Sequence, residues 1–446
     1  MRNRKRVERI PWSAPPTRNG LRARTTMGRA AHDGTSPEPA PRRCVVVGAS
    51  ARAFVESLAR AGWVAHAADL FGDVDLAAAA IEVVRLGVGG SASYPQGIPA
   101  VVAKFPEAVC VYTGALENHP DVIAAIAATR PLAGCSADAV RHVRDPAALA
   151  AIVRDAGQRC PDTFRSPAGL PTDGSFLVKP LRSAGGRGVR RWRGGSSDHA
   201  GHDVVWQRFV DGVCRSANYV ARAGTARLVG SSLPLAAAHW RGGREFSYCG
   251  SIDVPIDQLP DRLRRTFENL GTAVAATCGL TGLFGIDAVV DAADEVHVLE
   301  VNPRPTASLE LVERTTGWSV AAAHLAACGW CEDPPCGTAA DGFWAKAVVS
   351  TPSNATAASV ADAIATASVR WTAEDGLPSV ADIPRPDEPP SPGAPLVTVF
   401  ARGDTPDRVV ATLRQRVLHL RRSVANGLSP RAAVPSAAWR PRGSTA

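Results

Sequence analysis

The sequence predicts a mixed α/β and α+β chain, and three segments carry that reading. RCVVVGASARAFVESLARAGWVAHAADL, from Arg43, runs strand, turn, helix, strand. FLVKPLRSAGGRGV, from Phe176, is a short apolar strand entering a glycine-rich loop. Leu283–Val290 and Val296–Val301 read as two strands joined at Asp291–Glu295, a hairpin.

In the first segment, Val45–Val47 is a continuous apolar run, as in a strand buried on both faces of a parallel sheet. A helix follows over Ala51–Ala61 and ends at Gly62. Val64–Ala68 forms the next strand, closed by Asp69. EAVCVYTGALENHP, from Glu107, holds a further strand and meets a loop with Glu117 and Asn118. Together these make a Rossmann-like βαβ unit. The Gly-Ala-Ser turn at Gly48 lacks the dinucleotide fingerprint, so NAD binding is not predicted.

In the second segment, Lys179 stands at the end of the strand and precedes Ser183, Ala184, Gly185, Gly186 and Gly188. Glycines let successive N–H groups converge on a phosphate, and the lysine adds a point charge. This is no Walker loop, because the lysine comes before the glycines. The chain has 50 basic residues but only four lysines, Lys5, Lys104, Lys179 and Lys346. A lysine kept before a glycine loop in so arginine-rich a background points to function.

In the third segment, pairing across the turn sets Asp287 roughly opposite Glu300. Strand alternation puts Glu300 and Asn302 on one face and Leu299 and Val301 on the other. Two carboxylates and an amide oxygen suit a hard divalent cation. Arg304, after Pro303, can hold an anionic oxygen. The set suggests magnesium–nucleotide chemistry; a surface strand with polar alternation is the plain alternative.

With these pieces in order, the chain resembles the ATP-grasp superfamily across about residues 140–320, through KPLRSAGGRG, VVWQRFVDG from Val204, GLFGIDAVV from Gly282 and LEVNPRPTASLE from Leu299. The resemblance implies a Rossmann-like pre-grasp domain, a two-subdomain ATP-grasp fold and a small β-rich C-terminal domain. It implies the cofactors ATP and Mg2+ or Mn2+, and activation of a carboxylate as an acyl phosphate.

Residue by residue, Lys179 would contact the α/β-phosphates and act with Arg304 in catalysis. The loop Ser183–Gly188 would close over the triphosphate, with Ser183, Gly185, Gly186 and Gly188 as contacts. Gln207, Arg208 and Phe209 would form the hinge whose backbone pairs with adenine. Asp211 would touch the nucleotide edge or cap a loop. Asp287, Glu300 and Asn302 would be the metal ligands. Arg144 stands where the family usually has an earlier phosphate-binding lysine; a helix-capping or solvated arginine is the rival reading. Ser50, Arg52, Glu117 and Asn118, at strand ends of the Rossmann-like unit, are candidate substrate contacts, with turn capping as the alternative.

The predicted organisation is a basic tail at 1–40, a Rossmann-like domain at 41–140, and the grasp domain at 141–335. Within the last, 162–220 is the glycine-loop subdomain and 248–317 the metal-bearing one. Arg241-Gly242-Gly243-Arg244 reads as a mobile or solvated basic loop between them. From FWAKAVVSTP onward the chain is similar to the β-rich domain of biotin carboxylase and its relatives. A domain is expected at 340–425, with a strand at Pro395–Ala401, a helix from Thr405, and Lys346 as a structural or edge residue. A disordered tail is expected at 427–446.

Composition narrows the partners. The net charge is +8, yet nine Arg or Lys and one Glu fall in residues 1–30, so the remainder is neutral. The basic charge belongs to a tail and not to a folded face, so nucleic acid is not the predicted partner. The tail reads as an artefact of translation starting at Met27, a targeting peptide, or a nucleic-acid arm. No apolar run has transmembrane length, and a soluble, cytoplasmic protein is expected. Ten scattered cysteines without a signal peptide argue against a disulfide framework. His324, Cys328, Cys331 and Cys336 could bind zinc, although Pro334 and Pro335 interrupt the segment.

The leading functional reading is an ATP-dependent ligase that forms a C–N bond between a small-molecule carboxylate and an amine, releasing ADP and phosphate. GASARAFVESLARAG, YTGALENHP and NPRPTASLELVERTTG resemble ATP-grasp proteins of one-carbon cofactor biosynthesis, which would make glutamate one substrate. The alternatives are a biotin-carboxylase-like enzyme activating bicarbonate and a non-catalytic ATP-binding module. Dimers are common in the superfamily, so a homodimer is implied.

Overall fold

A computed structural model describes residues 42–87, 93–195, 203–236, 245–335, 337, 342–371, 377–388 and 390–426. The basic tail at 1–40, the Arg241–Arg244 loop, Cys336 and the 427–446 tail lie outside the described residues.

The N-terminal part comprises β1 (Arg43–Val47), α1 (Arg52–Arg60), β2 (Val64–Asp69), α2 (Val74–Ala79), β3 (Glu82–Arg85), α3 (Ile98–Val102) and β4 (Val109–Tyr112). The four strands form a parallel sheet in the order β3-β2-β1-β4. Cys44–Val47 is wholly buried, as an interior parallel strand requires. Three helices follow: α4 (Pro120–Ala127), α5 (Ala137–Arg144) and α6 (Pro146–Asp155). The last two begin where capping chemistry sets them. Ser136 accepts from Ala139 N–H, and Asp145 accepts from Ala147 and Ala148 N–H ahead of Pro146.

A second, antiparallel sheet holds β5 (Thr163–Phe164), β6 (Phe176–Pro180), β7 (Arg190–Arg191) and β8 (Val204–Arg208), in the order β5-β8-β6-β7. Its small core is Phe176, Val178, Trp192 and Trp206. The two indole rings meet edge to face at 5.9 Å.

The third sheet has eight strands. Its elements are β9 (Val213–Arg222), β10 (Thr225–Ala236), β11 (Tyr248–Val254), α7 (Asp261–Cys278), β12 (Gly282–Val290), β13 (Val296–Asn302), α8 (Leu309–Thr316), α9 (Val320–Ala327), β14 (Phe343–Ser350), α10 (Ala357–Arg370), β15 (Val380–Ala381), β16 (Pro395–Gly403) and α11 (Pro406–Asn426). The order is β13-β12-β9-β10-β11-β14-β16-β15. Two expectations shift here. The small sheet ends at Arg208, and β9 already belongs to the large one. The C-terminal strands extend that same sheet through the β11–β14 pairing. Lys346 is therefore on an interior strand, between β11 and β16, and not at an edge. Helix α10 is absent from the sequence reading because its Ala, Ser and Thr blur the apolar stripe. Its legible signal is the capping box of Thr356 and Ser359.

A buried charge cluster joins the N-terminal and large sheets. Arg52, 2% exposed, pairs with Glu310 through both carboxylate oxygens, with Asp382 at 2.9 Å and with Glu56 at 3.1 Å. Lys346 Nζ reaches Glu310 from the other side at 2.9 Å. Burial alone would raise the Glu310 carboxyl; the two cations outweigh it and hold the group well below the usual carboxylate range. Arg52 is thus a structural cation and not the predicted substrate contact, because its guanidinium turns inward to this cluster. Glu310→Ala would take from the buried Lys346 its carboxylate and from Arg52 one of the three it donates to, and is expected to cost about 3–5 kcal/mol, read by chemical denaturation.

Asp253 carries a second prediction. It accepts from Thr315 at 2.7 Å, and burial pushes it up to about 7. A carboxyl raised in the folded state favours folding below its unfolded value, near ~4, and that contribution is lost as pH climbs through about 7. Asp253→Asn keeps an acceptor for Thr315 without the charge. The fall in the parent's urea midpoint between pH 5 and 8 should flatten in this variant.

Candidate active site

The β12–β13 hairpin forms the floor of the site. Its register pairs Asp287 with Glu300 and Gly285 with Asn302. A bulge makes Leu299 the extra residue, because Asp287 pairs with Glu300 while Ala288 pairs with Val298. The expected shared face of Leu299 and Val301 is therefore wrong: Val298 and Val301 are buried, and Leu299 is half-buried.

Asp287 is held from three sides. Ser216 on β9 donates to its Oδ1, Asn302 Nδ2 donates to its Oδ2 at 2.9 Å, and Glu300 lies across the strand pair. Burial first, and then the Glu300 charge, push the Asp287 carboxyl up to about 6. Two adjacent carboxylates, one of them buried beside the other's charge, are a donor set short of a cation. Asn302 Oδ1 receives Arg304 Nη2 at 3.1 Å and keeps one lone pair. The three side chains fit a divalent cation whose remaining oxygens come from ligand or water. Among the described residues, no group of three or more His, Cys, Asp or Glu side chains has metal-binding geometry.

Arg304 joins this floor to the parallel sheet. Its Nε and Nη2 donate to Glu117 Oε1 at 3.0 and 2.9 Å. Burial opposes the Arg304 charge, but Glu117, Asp287 and Glu300 outweigh it and raise its proton affinity. Glu117 is 2% exposed, and among the described residues its Oε2 has no hydrogen-bond partner.

On the small sheet, Lys179 Nζ donates to Gln207 Oε1 at 3.0 Å, and Gln207 Nε2 donates to Thr163 at 3.2 Å. Gly185, Gly186 and Gly188 have φ of 61°, 71° and 82°. A Cβ on Gly186 would lie 1.9 Å from the Phe246 carbonyl oxygen, so only glycine allows this approach. Tyr248 N–H donates to the Gly185 carbonyl at 3.0 Å, which seats the loop on the start of β11.

Other predicted residues are placed differently. The N–H groups of Arg208 and Phe209 already donate to the Asp162 and Ser175 carbonyls, each at 2.8 Å. They are not open to adenine, because residues 208–209 remain tied to the adjoining chain. The Phe209 ring lies 4.1 Å under the Arg191 guanidinium, and Asp211 is exposed. Arg144 Nη2 donates to Asn118 Oδ1 at 2.9 Å and to the Leu181 carbonyl at 2.8 Å, so that nitrogen holds protein instead of the expected phosphate. Asn118 donates in turn to the Ser183 carbonyl at 3.3 Å. Ser50 is exposed beyond the end of β1. The zinc reading fails at His324, which accepts from Leu283 N–H at 2.9 Å and faces the Ala133 carbonyl at 3.1 Å, leaving neither ring nitrogen for a metal.

Sequence reasoning missed Ser216 and Asn218 on β9 and Thr306 and Ser308 after Arg304. Asn218 accepts from Thr306 at 2.6 Å and donates to Ser308 at 3.0 Å, anchoring the turn that follows Arg304. The available signal was the polar i, i+2 pair in VCRSANYVAR, facing one way on a strand. Because Asp287 is buried against Glu300, Asp287→Asn is expected to stabilise the metal-free protein at pH 7.5 by about 0.5–1 kcal/mol, measured by thermal unfolding without divalent ions.

Residues 131–308 match the ATP-grasp domain family. No curated protein matches the chain. Among solved structures, it is similar to carboxyaminoimidazole ribonucleotide synthase from Aspergillus clavatus complexed with ATP, at 12% identity and a TM-score of 0.65, covering 86% of this chain and 99% of that one. It is similar to L-amino acid ligase from Bacillus licheniformis at 14% identity and a TM-score of 0.60, covering 84% and 96%. It is also similar to the biotin carboxylase domain of Hydrogenobacter thermophilus 2-oxoglutarate carboxylase, in complex with MgADP, ADP and bicarbonate, at 12% identity and a TM-score of 0.60, covering 84% and 89%. At such identities the likeness is one of fold. With the family match over the glycine loop and the acidic hairpin, the chain carries an ATP-grasp domain.

Proposed function

We propose that this protein is an ATP-dependent carboxylate–amine ligase working through an acyl phosphate. The observation that carries the reading is the in-register pair Asp287 and Glu300, flanked by Arg304, on the sheet against which the glycine loop is seated. A substrate carboxylate oxygen attacks the γ-phosphorus of ATP, and the bond to the ADP oxygen breaks. The amine then attacks the acyl carbon, phosphate leaves with the C–O bonding pair, and the amine gives up a proton. Mg2+ or Mn2+, when bound by Asp287, Glu300 and Asn302, draws charge from the phosphates.

The chain's own residues supply position and field. Lys179, oriented by Gln207, faces negative charge on the triphosphate. Arg304, held by Glu117, stabilises the transferred phosphoryl group and the tetrahedral oxyanion. The glycine loop excludes water, which would otherwise hydrolyse the acyl phosphate. The solved ligase and synthase of like fold support this choice. A bicarbonate-activating reading is favoured by one observation, the bicarbonate in the biotin carboxylase domain of like fold. A role in one-carbon cofactor biosynthesis, a cytoplasmic location and a homodimer belong to the same proposal. Among the described residues, no helix is long and apolar enough to cross a membrane.

The test is phosphate release with MgATP against amino acids, dipeptides and bicarbonate. ADP and phosphate as products support the reading; AMP and pyrophosphate overturn it. Glu300→Gln is expected to lower kcat by about two orders of magnitude or more with an unchanged circular dichroism spectrum.

A further inference from the structure

The glycine loop is anchored at two places that belong to different sheets. On the large sheet, Tyr248 N–H holds the Gly185 carbonyl. On the parallel sheet, Asn118 Nδ2 holds the Ser183 carbonyl at 3.3 Å. Asn118 is itself fixed by Arg144, whose Nη2 spans Asn118 Oδ1 and the Leu181 carbonyl. Two residues of the strand-to-loop connection, Leu181 and Ser183, thus end on one buried amide and the arginine behind it.

The same short turn carries Glu117. The turn Leu116–Asn118 is entered through Ala115 at φ 72°, a left-handed conformation that costs an alanine energy and persists only where its surroundings demand it. From Glu117 the hydrogen bonds continue to Arg304, then to Asn302, and then to Asp287. One rigid three-residue turn therefore holds the glycine loop with one side chain and the cation over the acidic hairpin with its neighbour.

We propose that Asn118, set by Arg144, is a positioning residue that latches the glycine loop to the turn bearing Glu117. Loop closure and the placement of Arg304 are then one event: a shift of the turn that moves Glu117 also releases Ser183. Asn118 acts through the loop backbone and touches no reacting atom. The latch stands on protein–protein bonds alone, so it goes beyond the ligase reading and can be tested apart from it.

The loop supplies its own reporter. Arg182 immediately precedes it, Arg187 lies within it, and both are trypsin sites. Asn118→Ala removes both bonds of the amide. Asn118→Asp keeps an acceptor for Arg144 but cannot donate to Ser183, so it isolates the latch should the alanine variant fold poorly. In the nucleotide-free full chain, both variants are expected to raise the cleavage rate at Arg182 and Arg187 about fivefold, the scale of one net hydrogen bond, with sites identified by mass spectrometry. Arg141→Ala, which removes only the surface pairs to Asp121 and Asp138, should leave the rate unchanged. Cleavage of folded Asn118→Asp at the parental rate would overturn the latch.

Calorimetry with MgADP separates the two readings. If the parent binds MgADP, Asn118→Asp should weaken binding about three- to tenfold, because ordering the loop then draws on binding energy. Unchanged MgADP affinity in that variant also counts against the latch. No binding by the parent would count against the nucleotide reading, while the proteolysis result would still decide the latch.

Discussion

Arg304 is the constraint on which the site depends. It is a nearly buried guanidinium, and burial of such a group is costly unless every face meets an acceptor or a negative charge. Here Glu117 supplies the anion from the parallel sheet, and Asn302 supplies an amide oxygen from the hairpin. Neither sheet alone could hold the cation. Their shared satisfaction of Arg304 fixes the distance between the Leu116–Asn118 turn and the acidic strands, and the glycine loop is referenced to that same turn.

The buried Arg52, Glu310 and Lys346 repeat the device deeper in the molecule. Glu310 lies on the helix that leaves the Arg304 turn, Arg52 on the first helix and Lys346 on an interior strand. Such an ionic cluster need not add net stability over an apolar core, but it tolerates few alternative arrangements. Asp287 shows the opposite balance. Its carboxyl is buried beside a like charge, which costs folding energy in return for a place that attracts a cation. Ser216, Asn302 and the strand register hold the two carboxylates together against that repulsion.

Much of this was legible in local patterns. Hairpin spacing alone set Asp287 against Glu300, because a short turn between two strands leaves few registers. Three of the four parallel strands, β1, β2 and β4, were legible as apolar runs, whereas β3 and the caps Ser136 and Asp145 of α5 and α6 were not read from the sequence. The bulge at Leu299 was not legible, since one extra residue changes facing without changing composition. The hinge amides of Arg208 and Phe209 were not legible either. Whether a backbone N–H is spent depends on Asp162 and Ser175, which are remote in sequence.

By itself, the sequence determined the glycine loop after Lys179, the acidic hairpin, and the alternation of strand and helix that builds the parallel sheet. These are properties of neighbouring residues, governed by backbone preference and side-chain period. Only the tertiary structure decided what the cations do. Arg52 turned inward to Glu310, Arg144 went to Asn118 and the loop, and Arg304 found Glu117. A charged side chain takes whichever partner repays its desolvation, and those partners come from elements that meet only when the chain folds.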